Sequence, residues 1–427
     1  MYWHWRVWGI TSLMMWCGGI SSVNQDVIIV LGIDNPTGLC LCRELSEQGV
    51  EVVGLFASRF SIGAASKHVS TAYRRANKDE LIEQLLGLAA KHKAKALLAV
   101  AENDIQWINL HRDQFSDVAL LFPEQSTMDR VLDKAQTYRH AKALGIPVPE
   151  TYEIETLEAL AALRDELVFP VVVKWKEPVA IIPKLSALGV PLVKAEYVYS
   201  FEQLTQVLAV YEPVGEFPLI QEYRKGVGLG QFFLIHDGQV LQRFQHQRIH
   251  EWPPEGGYST VCRSLSQAEH QELSRLSEAL LKALDWEGVA MVEYRYDEAT
   301  KQAVLMEING RFWGSFPLAY HANAGFAWRL YQAGVYGRGL PESQVTPGLE
   351  CRFMVPETKR LLRVLLQPSK IKDRSYHNTP LSDLGRYLLS FVNPKTRYFV
   401  FMLTDAKPFF RDVKGMMTGV IKRFTRG

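Results

Sequence analysis

The chain has few cysteines, no long apolar runs and no repeats, and each absence removes a class of protein. Its 427 residues hold only five cysteines, Cys17, Cys40, Cys42, Cys262 and Cys351, with no C-x-x-C pair. That excludes a disulfide framework and suggests a reducing compartment in which the thiols pack. No segment reaches the roughly 18–20 apolar residues of a membrane-spanning helix. The nearest, MYWHWRVWGITSLMMWCGGI at residues 1–20, is too short to span a bilayer and lacks a clean small-x-small cleavage site. Three readings of it stand: a disordered or wrongly chosen start, an anchor lying in the membrane interface, or a signal peptide. A G-x-G-x-x-G turn is missing too, which argues against a dinucleotide site even though Gly32 and Gly38 flank the first strand-to-helix turn. Neither an internal repeat nor a low-complexity tract is present.

What is present is an ordinary globular composition, 47% hydrophobic and 22% charged. The formal net charge of +2 conceals an uneven distribution. Residues 358–427 carry 15 Lys/Arg against 4 Asp/Glu, so an acidic body precedes a basic end. The strand DVIIVLGID (Asp26–Asp34), a helix from Asn35 to Gly49 and the strand Val50–Ser58 predict a parallel βαβ unit. With a helix over Lys78–His92 and a strand over Ala96–Val100, it makes an N-terminal α/β domain reaching about Phe122. Gln125–Gly145 then reads as one helix, capped by Ser126 or Thr127. Helices over Leu157–Leu167, Phe201–Val210 and Ser266–Trp286 alternate with strands that include Phe169–Trp175, an α+β arrangement. A Gly/Pro-rich loop is expected over His250–Thr260.

The hairpin VAMVEYRYDEATKQAVLMEIN (Val289–Asn309) poses a chemical question. If Asp297 pairs with Ala303, Glu293 lies opposite Glu307. Asn309 then shares the face of Glu307, while Val304, Met306 and Ile308 point away. Like charges facing across an antiparallel pair cost roughly a few tenths of a kcal/mol or more. A hard divalent cation would remove that cost, because carboxylates and an amide oxygen suit it. The other reading is a solvated sheet face whose register is off by one.

Four features in order carry a resemblance: LDKAQTYRHAKALGIPVP around Lys134, FPVVVKW ending at Lys174, LIQEY over Leu219–Tyr223, and MEINGRFWGS after a glycine-rich loop. Together they resemble the ATP-grasp superfamily, in its carboxylate–amine ligase branch with a carbamoyl-phosphate-synthase-like large-subunit pattern. The resemblance covers roughly residues 26–334. It implies an α/β plus α+β fold: an apolar extension (1–24), a Rossmann-like pre-ATP-grasp domain (25–124), a two-subdomain ATP-grasp domain (125–345), and a basic, partly helical C-terminal region (346–427).

It also implies roles. Lys134 and Lys174 would meet ATP phosphates as point charges, and a lysine closing a buried strand needs a partner. Gln221, Glu222 and Tyr223 would form the adenine-binding hinge. Glu293, Glu307 and Asn309 would hold magnesium, with manganese the other ion the set accepts. Arg311 would stabilise the phosphoryl group in transit. PPEGGYS, with Gly256 and Gly257, would be a lid, and His246 and Arg248 would reach the phosphate or the carboxylate substrate. The sequence departs from the pattern at Val227, where an acidic ribose contact is common, and at Gly310 and Trp175, where proline is frequent. The implied activity is amide formation from a small carboxylate and an amine through an acyl phosphate, with no nucleic-acid partner. A nucleotide-binding protein without ligase activity and a membrane-associated scaffold are the alternatives. The expected location is cytoplasmic. Met416, Met417, Val420, Ile421 and Phe424 share a helical face that either packs on the acidic body or lies on anionic lipid at the inner face of the membrane.

Overall fold

The computed structural model describes residues 25–424 except 177, 193, 194, 375, 377 and 378; the N-terminal extension lies outside the described residues. Val27–Leu31 is a run of β-branched and leucine side chains, buried throughout. It sits at the centre of a five-stranded parallel sheet, between Glu51–Phe56 and Ala96–Ala99, with Thr71–Arg74 and Ala119–Leu120 at the edges. Burial on both faces is what a parallel sheet demands. The Pro36–Glu47 helix starts at Asn35, whose side chain accepts from the Gly38 amide at 3.0 Å. At Gly38 the helix comes so close that a Cβ would lie 2.4 Å from the Gly32 carbonyl oxygen, so only glycine fits.

The single helix expected from Gln125 to Gly145 is two, Gln125–Leu132 and Lys134–Ala143. Asp133 leaves the helical region at ψ 96° and caps the second helix, accepting from the Ala135 and Gln136 amides. The first helix takes Glu124 as its cap residue, so Ser126 and Thr127 fall in its first turn and not at the cap, and Lys134 opens the second helix.

A small antiparallel sheet follows, ordered Thr151–Tyr152, Leu219–Glu222, Val171–Lys174, Glu196–Val198. Its own core contains Leu160, Val173, Leu204 and Ile220. The helix expected to reach Leu167 stops at Ala162. An unanticipated helix, Pro178–Ala187, carries a proline inside it, which disguised its periodicity.

The third sheet has seven strands: Gln302–Asn309, Gly288–Asp297, Val227–His236, Gln239–Trp252, Tyr258–Ser264, Glu350–Arg352 and Thr396–Tyr398. Its last two strands come from the basic end of the chain. Alternation divides the faces. Leu229, Phe233, Val292 and Tyr294 fill one core, while Phe232, Leu234, Met291 and Trp313 fill another that they share with Val30 and Leu39. The same end of the chain also reaches the first domain. Arg43, fully buried, pairs with Asp405 at 3.0 Å and donates to the Val400 carbonyl. A helix over Lys407–Phe424 brings Gly415 against Phe60, and Phe409 packs on the shared core. Met416 is half-buried and Met417 exposed, whereas the side chains of Val420, Ile421 and Phe424 lie outside the described ones. Among the described residues, no helix is long and apolar enough to cross a membrane.

Candidate active site

The hairpin settles its register by an irregularity. Near the turn Asp297 pairs with Gln302, not Ala303, and Tyr294 with Leu305. A bulge between Glu293 and Tyr294 then absorbs one residue, and Glu293 does face Glu307. The extra residue changes which side chains share a face. Met306 lines the cleft beside Glu307. Leu305 and Ile308 enter the core with Tyr294, so the expectation that Val304, Met306 and Ile308 share the far side is corrected.

A cleft of about 1330 Å³ lies between the small sheet and the seven-stranded sheet. Lys174, Gln221, Glu222 and Tyr223 line it from the small sheet, and Arg248, Glu293 and Glu307 from the larger one. The two carboxylates sit in different fields. Burial pushes the Glu293 carboxyl up, despite the Arg248 guanidinium 2.6 Å away. Burial also acts to raise Glu307, but Lys134 at 3.3 Å and Lys174 reverse this and hold it below the usual carboxylate range. Lys174 itself is pushed down to about 8 by burial and by Lys134. Asn309 donates to Glu307 at 3.3 Å, and its oxygen accepts from Arg311. Arg311 also lies 3.9 Å from Glu102 of the first domain. One chain of contacts thus links Lys134, Glu307, Asn309 and Arg311.

The hinge residues are held from behind. Gln221, buried, donates to Thr151 at 2.9 Å. Glu222 accepts from the Glu150 amide at 3.1 Å and pairs with Arg224 at 2.8 Å. The Tyr223 hydroxyl donates to Asp373 at 2.9 Å. The expected loop over His250–Thr260 is mostly strand; what remains is the tight turn Pro253–Gly257. Gly256, at φ +141°, is backed by Tyr197 and Arg295, and the Tyr197 hydroxyl donates to the Glu255 carbonyl at 2.5 Å. The turn is therefore latched to the small sheet across the cleft.

His246 stands apart. It is fully buried, stacked 4.7 Å from Phe232, and its Nε2 meets the Ser315 hydroxyl at 2.8 Å. Burial, aided by Arg248, drives its pKa down to about 3, so it is neutral and sits behind the cleft wall. Sequence reasoning missed several lining residues. Arg295 and Glu251 form a network with Arg248: Glu251 accepts from Arg248 at 2.9 Å and from Arg295 at 3.2 Å. Arg295 lies two residues beyond Glu293, so strand alternation could have found it. Arg360, Lys372, Asp373 and Tyr376 close the cleft from the far end of the chain, where no local signal marks them.

Glu293, Glu307 and Asn309 offer two carboxylates and an amide oxygen, a donor set suited to a hard divalent cation completed by phosphate and water. Among the described residues, no three His, Cys, Asp or Glu side chains form a metal-holding group on their own.

No family model and no curated protein matches the sequence. Solved structures do match in fold. The biotin carboxylase domain of Hydrogenobacter thermophilus 2-oxoglutarate carboxylase, in complex with MgADP, ADP and bicarbonate, is 14% identical, with 76% of this chain and 73% of that one covered at a TM-score of 0.58. A Campylobacter jejuni biotin carboxylase is likewise 14% identical, covering 77% and 75% at 0.59. An L-amino acid ligase from Bacillus licheniformis is 14% identical, covering 76% and 78% at 0.54. Both kinds of neighbour have the ATP-grasp fold, and this chain shares that fold over about three quarters of its length.

Proposed function

We propose that the chain is an ATP- and magnesium-dependent ligase that joins a small carboxylate to an amine through an acyl phosphate. The observation that carries this reading is the convergence on one cleft of two facing carboxylates, Glu293 and Glu307, with Lys174 beside them and Lys134 bonded to Glu307. A neighbour solved with MgADP and another that is an amino acid ligase support the cofactor and the reaction class.

The chemistry follows from the electrophile. A carboxylate resists attack because the amine would have to expel oxide. Moving the γ-phosphoryl group of ATP onto it creates a good leaving group, and amine attack then gives the amide, ADP and phosphate. Phosphoryl transfer needs positioning and charge neutralisation more than covalent help. Lys134 and Lys174 supply positive charge beside the metal ligands, and Arg311, tethered to Asn309, adds a guanidinium. Bound magnesium would neutralise phosphate charge between Glu293, Glu307 and the Asn309 oxygen. Arg248 pairs with Glu293 at 2.6 Å and with Glu251 at 2.9 Å, which holds a guanidinium beside the two carboxylates where an anionic substrate would meet it. The Pro253–Gly257 turn, already latched by Tyr197, keeps water from the reactive intermediate.

Release of phosphate from ATP, measured with panels of carboxylates and amines, tests the reading. It requires turnover that depends on magnesium and on both substrates. Nucleotide binding with no turnover for any pair would leave a nucleotide-binding protein without ligase activity.

A further inference from the structure

The helix Pro380–Leu389 is inside out. On a helix wheel Asp383, Tyr387 and Ser390 share one face, and that face is turned inward. Asp383 accepts from the buried Arg360 at 2.9 Å, and the Tyr387 hydroxyl bonds Thr358 at 2.8 Å. Tyr387 also stacks 3.7 Å from the Arg352 guanidinium, which bonds Ser390 as well. The opposite face is apolar and open. Leu381 and Leu388 follow at i and i+7, with exposures of 83% and 57%, Leu389 beside them is 68% exposed, and Val392, in the turn just past the helix, is 79% exposed. Amphipathic helices normally turn such a stripe to the core. A contiguous exposed apolar stripe marks an interaction surface.

Charge identifies the partner. Arg386, Lys395 and Arg397 are exposed on or next to this helix, and Lys370 is exposed before it. All four acidic residues of the region point elsewhere. Asp383 and Asp405 are buried in pairs with Arg360 and Arg43, Asp373 accepts from Tyr223, and Asp412 is half-buried. The exposed charge here, among the described residues, is therefore positive only. Two copies of this chain meeting through this face would set like charges together, whereas an anionic bilayer accepts both the leucines and the arginines.

We infer that Leu381, Leu388, Leu389 and Val392, flanked by Arg386 and Lys395, form a docking face for an anionic membrane surface. The apolar side chains enter the interface while each basic residue adds attraction to anionic headgroups. This differs from a role for the final helix and is independent of the ligase reading.

Full-length protein sedimented with phosphatidylglycerol vesicles tests it. Wild type should bind these but not phosphatidylcholine vesicles, and should release at about 0.5 M salt, where the screening length is only several ångström. Leu381→Ser/Leu388→Ser/Val392→Ser should lower the bound fraction by about tenfold or more, with unchanged circular dichroism, because these side chains touch no core. Should that variant misfold, Arg386→Glu/Lys395→Glu provides the same test and should lose binding equally. Undiminished binding by the folded variants overturns the inference. So does absence of vesicle binding together with a concentration-dependent dimer that the triple variant abolishes, which would assign the face to a second copy.

Discussion

Two clusters of charge flank the seven-stranded sheet, and they are built to opposite ends. In one, Glu357 is satisfied on every side: His250 at 2.8 Å and Arg360 at 3.0 Å meet one oxygen, Thr260 the other. Burial would raise its carboxyl, but His250 and Arg360 hold it down at about 2. In the other, Glu293 faces a second carboxylate and is raised rather than lowered. A closed network fixes structure. A cluster with like charges opposed is poised for a ligand, because a cation between Glu293 and Glu307 would relieve the repulsion between the two carboxylates.

The sharpest way to break this contrast is to disable the closed network. Glu357→Ala leaves the buried Arg360 with one carboxylate, Asp383, and the Tyr376 hydroxyl, and should cost about 3–5 kcal/mol of stability in urea unfolding. A loss below about 1 kcal/mol would mean that the network is not what holds the C-terminal helices. On the open cluster the expected loss is in chemistry instead. Glu307→Ala or Asn309→Ala should cut magnesium-dependent ATP turnover by about 10²–10³-fold while thermal unfolding barely moves. Glu293→Gln should be milder, since an amide oxygen still coordinates. Near-normal turnover in both of the first two variants would remove the metal assignment. Next in size, Lys174→Met should weaken ATP binding by about 1.5–3 kcal/mol in calorimetry, and unchanged affinity would make Lys174 structural.

The smallest effect is a pH dependence. Burial and Lys134 lower Lys174 to about 8, so its charged form, the one that attracts phosphate, is lost as pH rises through that value. ATP affinity should fall several-fold between about pH 8 and 9. Lys174→Arg, charged throughout, should flatten the profile. A decline that persists in this variant would assign the titration to another group.

How much of this was legible beforehand depended on whether the signal was local. The facing of Glu293 and Glu307 was readable although the assumed turn pairing was wrong by one, because a bulge returned the ladder to the expected register. The bulge itself left no mark in the sequence, which is why Met306 moved into the cleft unannounced. Lys134 was found by motif, but the break at Asp133 that sets it at a helix start was hidden in an otherwise periodic run. His246 is expected at the site because it stands with Arg248 just before the lid, whereas strand alternation says only that the two share a face. How far along that face the core ends was decided by Trp313 and Phe232. Arg360, Lys372 and Asp373 were beyond reach, since topology alone brings them to the cleft.

The pair between Arg43 and Asp405 has a consequence for the order in which the protein can be made. Helix Pro36–Glu47 emerges early in synthesis, and its strand partners follow within some tens of residues. Yet its guanidinium has its buried carboxylate, and the Val400 carbonyl, only after about 360 further residues have been translated. Early domains often fold while the rest is still on the ribosome. Here the first domain can assemble its parallel sheet at that stage, but it lacks the buried ion pair that ties this helix to residues 400–405, so it has not reached full stability. Completion waits for residues 400–405. A ribosome stalled before them should hold a first domain that proteases still recognise, and passage of that short stretch should close it.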